Sequence, residues 1–504
     1  DMIKGKILLF WIVLLMPFFV MAETGEKLWL RYNLLDAPVR GQYVSDFNNL
    51  VVAGSGSTLQ AAVVELESAV GGLLGKELKR ATRPSAGSVL IGTAAQKQIS
   101  DLNFGATLDA VGAEGYIIQT VAVRGGKMTV IAANTEAGVL YGVFDLIRRI
   151  QTGQSVADLA ISEKPAFGLR LLNHWDNLNG SVERGYAGHS IWWNRSEDFS
   201  LLKKQYEYYA RANASVGING TVLNNVNADP QVLTPDYIQK YARIAEIFRP
   251  YNLKVYISVN FASPAVIGGL ENSDPLNPAV GKWWEEKVKE IYDAIPDFGG
   301  FLVKANSEGQ PGPMDYGRTH VDGANMLAKA LQPFNGVVMW RAFVYEPGGD
   351  DRARQAYNEF MPFDGKFEEN VIVQVKNGPV DFQPREPFSP LFGGMQKSPV
   401  MIEFQITQEY LGFSDHLAYL STMWKETLDA DTWAKGVGST VAKATDGTLF
   451  PHKYTAISAV ANIGRDINWT GHHFGQSNWY AFGRLAWNHQ LTSDGIAREW
   501  IKMT

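Results

Sequence analysis

Gly300-Phe-Leu-Val-Lys304-Ala-Asn306-Ser-Glu308-Gly309-Gln-Pro-Gly312-Pro313 joins an apolar run to charged residues and then to a loop rich in Gly and Pro. The stretch reads as a strand that ends in a reactive site. Val371-Ile-Val-Gln-Val-Lys376-Asn-Gly-Pro-Val-Asp381 and Val400-Met-Ile-Glu403-Phe-Gln-Ile-Thr-Gln-Glu409 repeat the pattern, and Val337-Val-Met-Trp-Arg341 repeats it with a cation. Short apolar runs bounded by turn signals fit strands buried on both faces, as in a parallel sheet. Charge placed just after such strands collects at one end of a closed barrel, the end at which (β/α)8 proteins hold their active sites.

Strand and helix signals alternate on both sides of that stretch. Strands are predicted over 169–176, 219–225 and 253–260, the four quoted runs supply the fourth to the seventh, and the eighth is expected between Ile457 and Ile463. Helices are predicted over 199–215, from Thr234-Pro235, where an N-cap precedes Pro at the first helical position, and over 281–294. Alternation of this kind makes the fold class α/β, and eight units favour a (β/α)8 barrel over 168–467. Residues 468–504, with two short helical patterns, fall outside it.

A smaller α+β domain is predicted over 23–150. Its elements are a strand at 28–32, a helix capped by Ser57 with Leu59, Ala62, Val63, Leu66, Val70 and Leu73 at helical spacing, strands at 88–92, 115–123 and 127–132, and a helix over 135–150. Arg124-Gly125-Gly126 joins the last two strands as a hairpin. Residues 151–167, with Gly153 and Pro165, read as a linker. Gly54-Ser-Gly-Ser57 lacks the spacing of either phosphate-binding loop and reads as an ordinary turn.

Composition narrows the chemistry. The 504 residues are 46% hydrophobic and 12% aromatic, enough for more than one core. A net charge of −6 leaves no polybasic footprint, so nucleic acid is not an expected partner. The 14 Trp and 20 Tyr suit stacking on sugar faces, although aromatics more often fill cores. Cysteine is absent, which excludes disulfides, thiolate chemistry and Fe–S clusters. Lys4 and Lys6 precede an apolar run that ends in Val20-Met-Ala22, the pattern of a secretory signal over 1–22 cleaved before Glu23. The run carries Pro17 and is shorter than the roughly 20 residues that span a bilayer, so the expectation is export to the periplasm or beyond, with no membrane association after cleavage.

One loop carboxylate is most often a solvated surface charge. Glu308, Asp381 and Glu409, each just past a different predicted barrel strand, are not all explained that way. Glycoside hydrolysis needs a carboxylic acid on one face of a sugar and a carboxylate on the other, and such a barrel supplies both. Lys304, Arg341 and Lys376 would depress the pKa of an acid beside them, so they need an anion to meet. Neighbouring carboxylates answer part of that need, and a uronic acid substrate would answer the rest. Three separate salt bridges are the plain alternative. No HExxH helix or GxSxG elbow occurs, and His472-His473 reads as structural.

Five stretches resemble the motifs of family 67 α-glucuronidases. They are His174-Trp-Asp-Asn-Leu-Asn-Gly-Ser-Val-Glu-Arg-Gly-Tyr-Ala-Gly188, Gly217-Ile-Asn-Gly-Thr-Val-Leu-Asn-Asn-Val226, Lys304 to Gly312, Val373 to Pro387, and Glu403-Phe-Gln-Ile-Thr-Gln-Glu409-Tyr-Leu-Gly412. The resemblance implies an exo-acting, inverting hydrolase that removes α-1,2-linked glucuronic acid, or its 4-O-methyl ether, from the non-reducing terminal xylose of xylo-oligosaccharides. It implies Glu308 as general acid, Asp381 and Glu409 as joint holders of the attacking water, Lys304, Arg341 and Lys376 as the uronate grip, and Trp175 and Val226 as pocket walls. It implies no metal and no cofactor. It also implies a homodimer built through a helical C-terminal domain, of which 468–504 would be the start. Two other readings stand beside it: a glycan-binding barrel without catalysis, and a hexosaminidase-like exo-glycosidase, which the lack of any Asp-Glu dipeptide opposes.

Overall fold

A computed structural model describes residues 23–193, 199–343, 351–413 and 416–504; the predicted signal segment lies outside them. The N-terminal part builds a six-stranded sheet from β1 (Asn49–Ala53), β2 (Lys79–Arg80), β3 (Ser88–Thr93), β4 (Tyr116–Val123), β5 (Gly126–Ala133) and β6 (Ala160–Glu163), in the order β2-β1-β3-β5-β4-β6. Alternate side chains of a strand point to opposite faces, and both faces here are covered. Leu50, Val89, Ile118 and Ile131 meet the helices Ser57–Leu74 and Glu136–Gln151, while Val51, Leu90, Ile117 and Val130 meet Ile99, Leu108 and Val111 on short helices.

The stretch 28–32, expected as a strand, is instead a buried turn, with Leu28 and Tyr32 in the left-handed region at φ 54 and 51. Its apolar content marks a plug. Trp29 sits edge-on to Trp479 and Tyr480, at 5.4 and 5.1 Å between ring centroids, and its indole donates to Ser215 Oγ at 2.8 Å. Ser57 is the first helical residue and not the cap; the N-cap is Gly56. The free N–H groups of that end, from Gly56 and Leu59, donate at 3.0 and 3.1 Å to the carboxylate of Glu136, so the second helix caps the first. The stretch read as a linker carries β6, which adds to the sheet antiparallel to β4.

The barrel consists of β7 (Leu169–Asn173), β8 (Gly220–Val222), β9 (Lys254–Val259), β10 (Gly300–Val303), β11 (Val337–Arg341), β12 (Val371–Lys376), β13 (Val400–Gln405) and β14 (Ala456–Val460), all parallel and closed where β14 pairs with β7. The predicted helices occupy Phe199–Ser215, Pro235–Phe248 and Pro278–Ala294. The interior is packed and not a pore: Leu171, Val222, Tyr256, Leu302, Met339, Ile372 and Met401 fill it, with Trp175, Val226 and Phe382 continuing the same cluster past the strand ends. Among the described residues no helix is long and apolar enough to cross a membrane.

Two helices, Gly475–Trp487 and Ser493–Met503, follow the barrel. Arg170, fully buried at the opening of β7, ties the three regions together. Its guanidinium pairs with Glu114 of the N-terminal sheet region at 2.7 Å, donates to the carbonyls of Phe167 at 2.6 Å and of Gly217, and lies 5.3 Å over the ring of Trp487. Gly217, at φ +79, has to be glycine, because a Cβ there would run into that Trp487 ring.

Candidate active site

Every strand of a (β/α)8 barrel points its C-terminal end at one rim, and the predicted site residues lie on that rim. Lys304 directly follows β10, and the loop beyond it folds back through Asn306, whose side chain accepts from Met314 N and donates to Asp315 Oδ1, both at 2.9 Å. Asp315 in turn accepts from Gly312 N at 3.0 Å. This brings Glu308, itself left-handed at φ 49, back against Lys304 as an ion pair. The buried ammonium of Lys304 also donates to Asn227 Oδ1 at 2.8 Å. Burial pushes the Glu308 carboxyl up, but its contact with Lys304 and the charges of Lys376 and Arg341 outweigh that and hold it below the usual carboxylate range.

Lys376 ends β12 and is sandwiched between rings, 3.4 Å from the centroid of Phe343 and 4.6 Å from that of Phe382. Its ammonium donates to Asp381 Oδ1 at 2.6 Å. Burial, helped by the charge of Arg341, pulls Lys376 down to about 8. Asp381 also accepts from the hydroxyl of Tyr410 at 2.7 Å and from Phe382 N at 3.0 Å. Burial acts to raise its pKa, yet Lys376 wins and the carboxyl is held low. Glu386 shapes this loop from behind, accepting from Asp381 N at 2.8 Å and Val380 N at 3.3 Å.

Arg341 ends β11 and forms a two-pronged pair with Glu403 of β13, at 2.8 and 2.6 Å, with both side chains buried. Gln374 Nε2 donates to the same carboxylate at 2.6 Å. The guanidinium lies 5.9 Å from the ring of Trp175 and 5.8 Å from that of Phe343. Glu409, beyond β13, takes Gln405 Nε2 on Oε2 at 3.0 Å and the Arg184 Nε on Oε1 at 2.7 Å.

The structure therefore brings Lys304, Glu308, Arg341, Lys376 and Asp381 into one charged cluster, with Trp175 and Val226 in the apolar layer beneath and Glu409 joined through its neighbour Tyr410. Each of the three cations meets a carboxylate. Sequence reasoning assigned no role to Glu403, Arg184, Glu183, Asn227, Gln405 or Glu386. Glu403 did carry a signal, since a carboxylate in the middle of an apolar strand needs a buried partner. His472 is a turn residue, its Nδ1 accepting from Gly475 N at 3.1 Å. Among the described residues, no group of three or more His, Cys, Asp or Glu is placed to hold a metal ion.

Solved structures share the architecture: a family GH115 4-O-methyl-alpha-glucuronidase, BtGH115A, with specificity for decorated arabinogalactans, superposes with TM-score 0.55 at 13% identity, covering 90% of this chain and 58% of that one. CpGH84B does so with TM-score 0.54 at 12% identity, covering 92% and 70%. At such identities the likeness concerns the fold alone. Sequence relatives are nearer. Alpha-glucuronidase A of Emericella nidulans is 41% identical over 505 residues, covering 96% of this chain and 58% of its own length, and the alpha-glucuronidase of Hypocrea jecorina is 41% identical over 525 residues, covering 100% and 61%. The chain thus spans about three-fifths of the curated relatives it matches. Residues 28–146 match the glycosyl hydrolase family 67 N-terminus, 149–469 its middle domain and 470–504 its C-terminus. With the middle-domain match alone covering more than half of the sequence, the chain belongs to glycosyl hydrolase family 67.

Proposed function

We propose that this chain is an exo-acting, inverting α-glucuronidase that releases α-1,2-linked glucuronic or 4-O-methylglucuronic acid from the non-reducing terminal xylose of xylo-oligosaccharides. The names of its relatives support the α-glucuronidase part of this reading. The observation that carries uronate recognition and the role of Glu308 is the Lys304–Glu308 pair, while the linkage, the xylose leaving group and inversion are what the motif resemblance implies. A general acid must arrive protonated, and a Glu308 that takes up a proton leaves the buried Lys304 without its anion. A uronate carboxylate fills that gap. It would take over the charge of Lys304, with Arg341 and Lys376 beside it, and in doing so would raise the proton affinity of Glu308. A neutral hexose cannot do this, so charge recognition and activation of the acid become one event.

The chemistry proposed for this site uses three carboxylates of the rim. Glu308 gives its proton to the glycosidic oxygen as the bond to the anomeric carbon breaks. Asp381 and Glu409 hold a water on the opposite face; its oxygen attacks the anomeric carbon, and its proton passes to one of these carboxylates. Trp175 and Val226, atop the apolar barrel interior, form the wall against the sugar ring.

The deciding experiment is proton NMR of early hydrolysis of an aldotriouronic acid. β-Glucuronic acid as the first product is expected. The α-anomer first would make the enzyme retaining and overturn the assignment of the base, and binding without release of any uronic acid would leave a non-catalytic glycan-binding barrel.

A further inference from the structure

The loop after β7 carries a residue to which these roles give no task. Arg184 pairs with Glu409 Oε1 at 2.7 Å, while Gln405 holds the other oxygen at 3.0 Å. Both oxygens are thus fixed from different directions, which leaves each one further lone pair for a water.

The Arg184 side chain is about half exposed, at 46%, but the segment around it is pinned on both sides. Glu183 N donates to the carbonyl of Trp175 at 2.9 Å, and the Glu183 carboxylate accepts from Asn225 Nδ2 at 2.8 Å and Asn227 Nδ2 at 3.2 Å. On the other side, Tyr186 N donates to Asn462 Oδ1 at 3.1 Å, and its ring meets Phe413 with centroids 4.2 Å apart. Arg184 itself adopts φ 56, an unfavourable backbone conformation for a residue with a side chain, which persists because its neighbours hold it there. Although the Glu409 side chain is only 12% exposed, its partner is about half open to solvent, and water screens such a pair enough that fold stability alone does not account for this bracing. Direction does.

We propose that Arg184 is a positioning residue for the base: it sets the plane of the Glu409 carboxylate so that a free lone pair faces the attacking water. This rests on the reading of Glu409 as base. The same dipeptide reaches the acid side as well, because Asn227, held by Glu183, accepts from Lys304, the partner of Glu308. Acid and base are registered against each other through one short loop segment.

The test compares wild type, Arg184→Ala, Arg184→Lys, Glu409→Gln and the Arg184→Ala/Glu409→Gln pair on an aldotriouronic acid, with thermal unfolding as the folding control. A support around a functional group is commonly worth about 10- to 100-fold in activity, so Arg184→Ala should lower kcat by that factor. KM should stay within about two-fold, as fits a residue that does not bind substrate. Arg184→Lys should recover part of the loss, and in the Glu409→Gln background Arg184→Ala should add less than about two-fold, because the two act as one unit. A raised KM with kcat unchanged would make Arg184 a substrate contact and overturn the proposal. An equal loss in both backgrounds would also overturn it, while leaving Glu409 as base. If Glu409→Gln keeps the wild-type kcat, it is the base assignment that fails. Should Arg184→Ala not fold, the same cycle run with Arg184→Lys decides between these outcomes.

Discussion

The proposed mechanism asks Glu308 to act as an acid in a place that favours its anion. Lys304, Lys376 and Arg341 overcome the effect of burial on it, so without substrate the carboxylate form prevails. Glu308→Gln is expected to lower hydrolysis of natural oligosaccharides by roughly 10² to 10⁴, while sparing substrates whose leaving group needs little protonation; equal losses on both would mark Glu308 as a binding residue. Lys376 yields a pH prediction. Burial brings it to about 8, so kcat/KM for the uronide, which reports the free enzyme, should fall as pH rises through that value. Stability should move the other way. Between about 8 and the ordinary lysine value near 10.4, the unfolded chain binds a proton that the folded one does not, so the cost of burying Lys376 is fully present below 8 and is relieved as pH rises across that window. A flat kcat/KM profile from neutral pH to about 9.5 would remove Lys376 from the uronate grip. Arg341→Ala should raise KM for the uronide and weaken discrimination against the matching α-glucoside, since charge-assisted hydrogen bonds are worth about 1.5 to 3 kcal/mol; unchanged discrimination would argue that Arg341 serves only Glu403. The three carboxylates and three cations were legible because each follows an apolar run. Arg184 was not, for an exposed arginine in a polar loop looks the same whether or not a carboxylate from a distant strand meets it.

At the level of elements, strands were readable wherever burial on both faces left a continuous apolar run, and even the eighth, with the small residues Ala456, Ser458 and Ala459, starts one residue before the expected stretch 457–463 and ends within it at Val460. Failures came where burial and backbone shape part company. Leu28 to Tyr32 is as apolar as a strand, but apolar content specifies where side chains go and says nothing of φ, and two of these residues turn left-handed. The strand β6 was hidden in polar, Pro-flanked sequence because it lies at the edge of its sheet, where little burial is required. The loop that carries Glu308 offers an element-scale test. Gly312 has an ordinary extended backbone, yet a Cβ on it would overlap the Asn306 side chain that organises the turn. Gly312→Ala should cost about 1 to 3 kcal/mol in thermal or denaturant unfolding and lower kcat as Glu308 shifts. If melting and turnover are both unchanged, Asn306 is not what holds the loop.

Across the whole molecule, the contacts of Trp29 and Arg170 join its regions away from the rim that carries the charged cluster. Trp29 plugs the space between Ser215 on a barrel helix and the Trp479–Tyr480 step of the C-terminal helices. Trp29→Ala should therefore destabilise by about 3 to 5 kcal/mol while KM for the uronide stays as it was, a separation that unfolding curves and initial rates would read directly. A changed KM would mean that the plug communicates with the rim. None of these long-range partners could be named from sequence, because nothing in the neighbourhood of Trp29 or Arg170 encodes which remote surface will cover them. The pairing of β14 with β7 also sets an order in time. On a translating ribosome the chain emerges from its N-terminal end, and domains fold as they become available. The six-stranded sheet is complete once residue 163 has cleared the exit tunnel, but β7 waits for its second neighbour until residue 460 is out. Trp29, made long before Tyr480, gains its ring contacts only after that residue. Until those stages the nascent chain shows an open strand edge and an uncovered indole, both of the kind chaperones bind; β14 withdraws the first and the helix that carries Trp479 and Tyr480 withdraws the second.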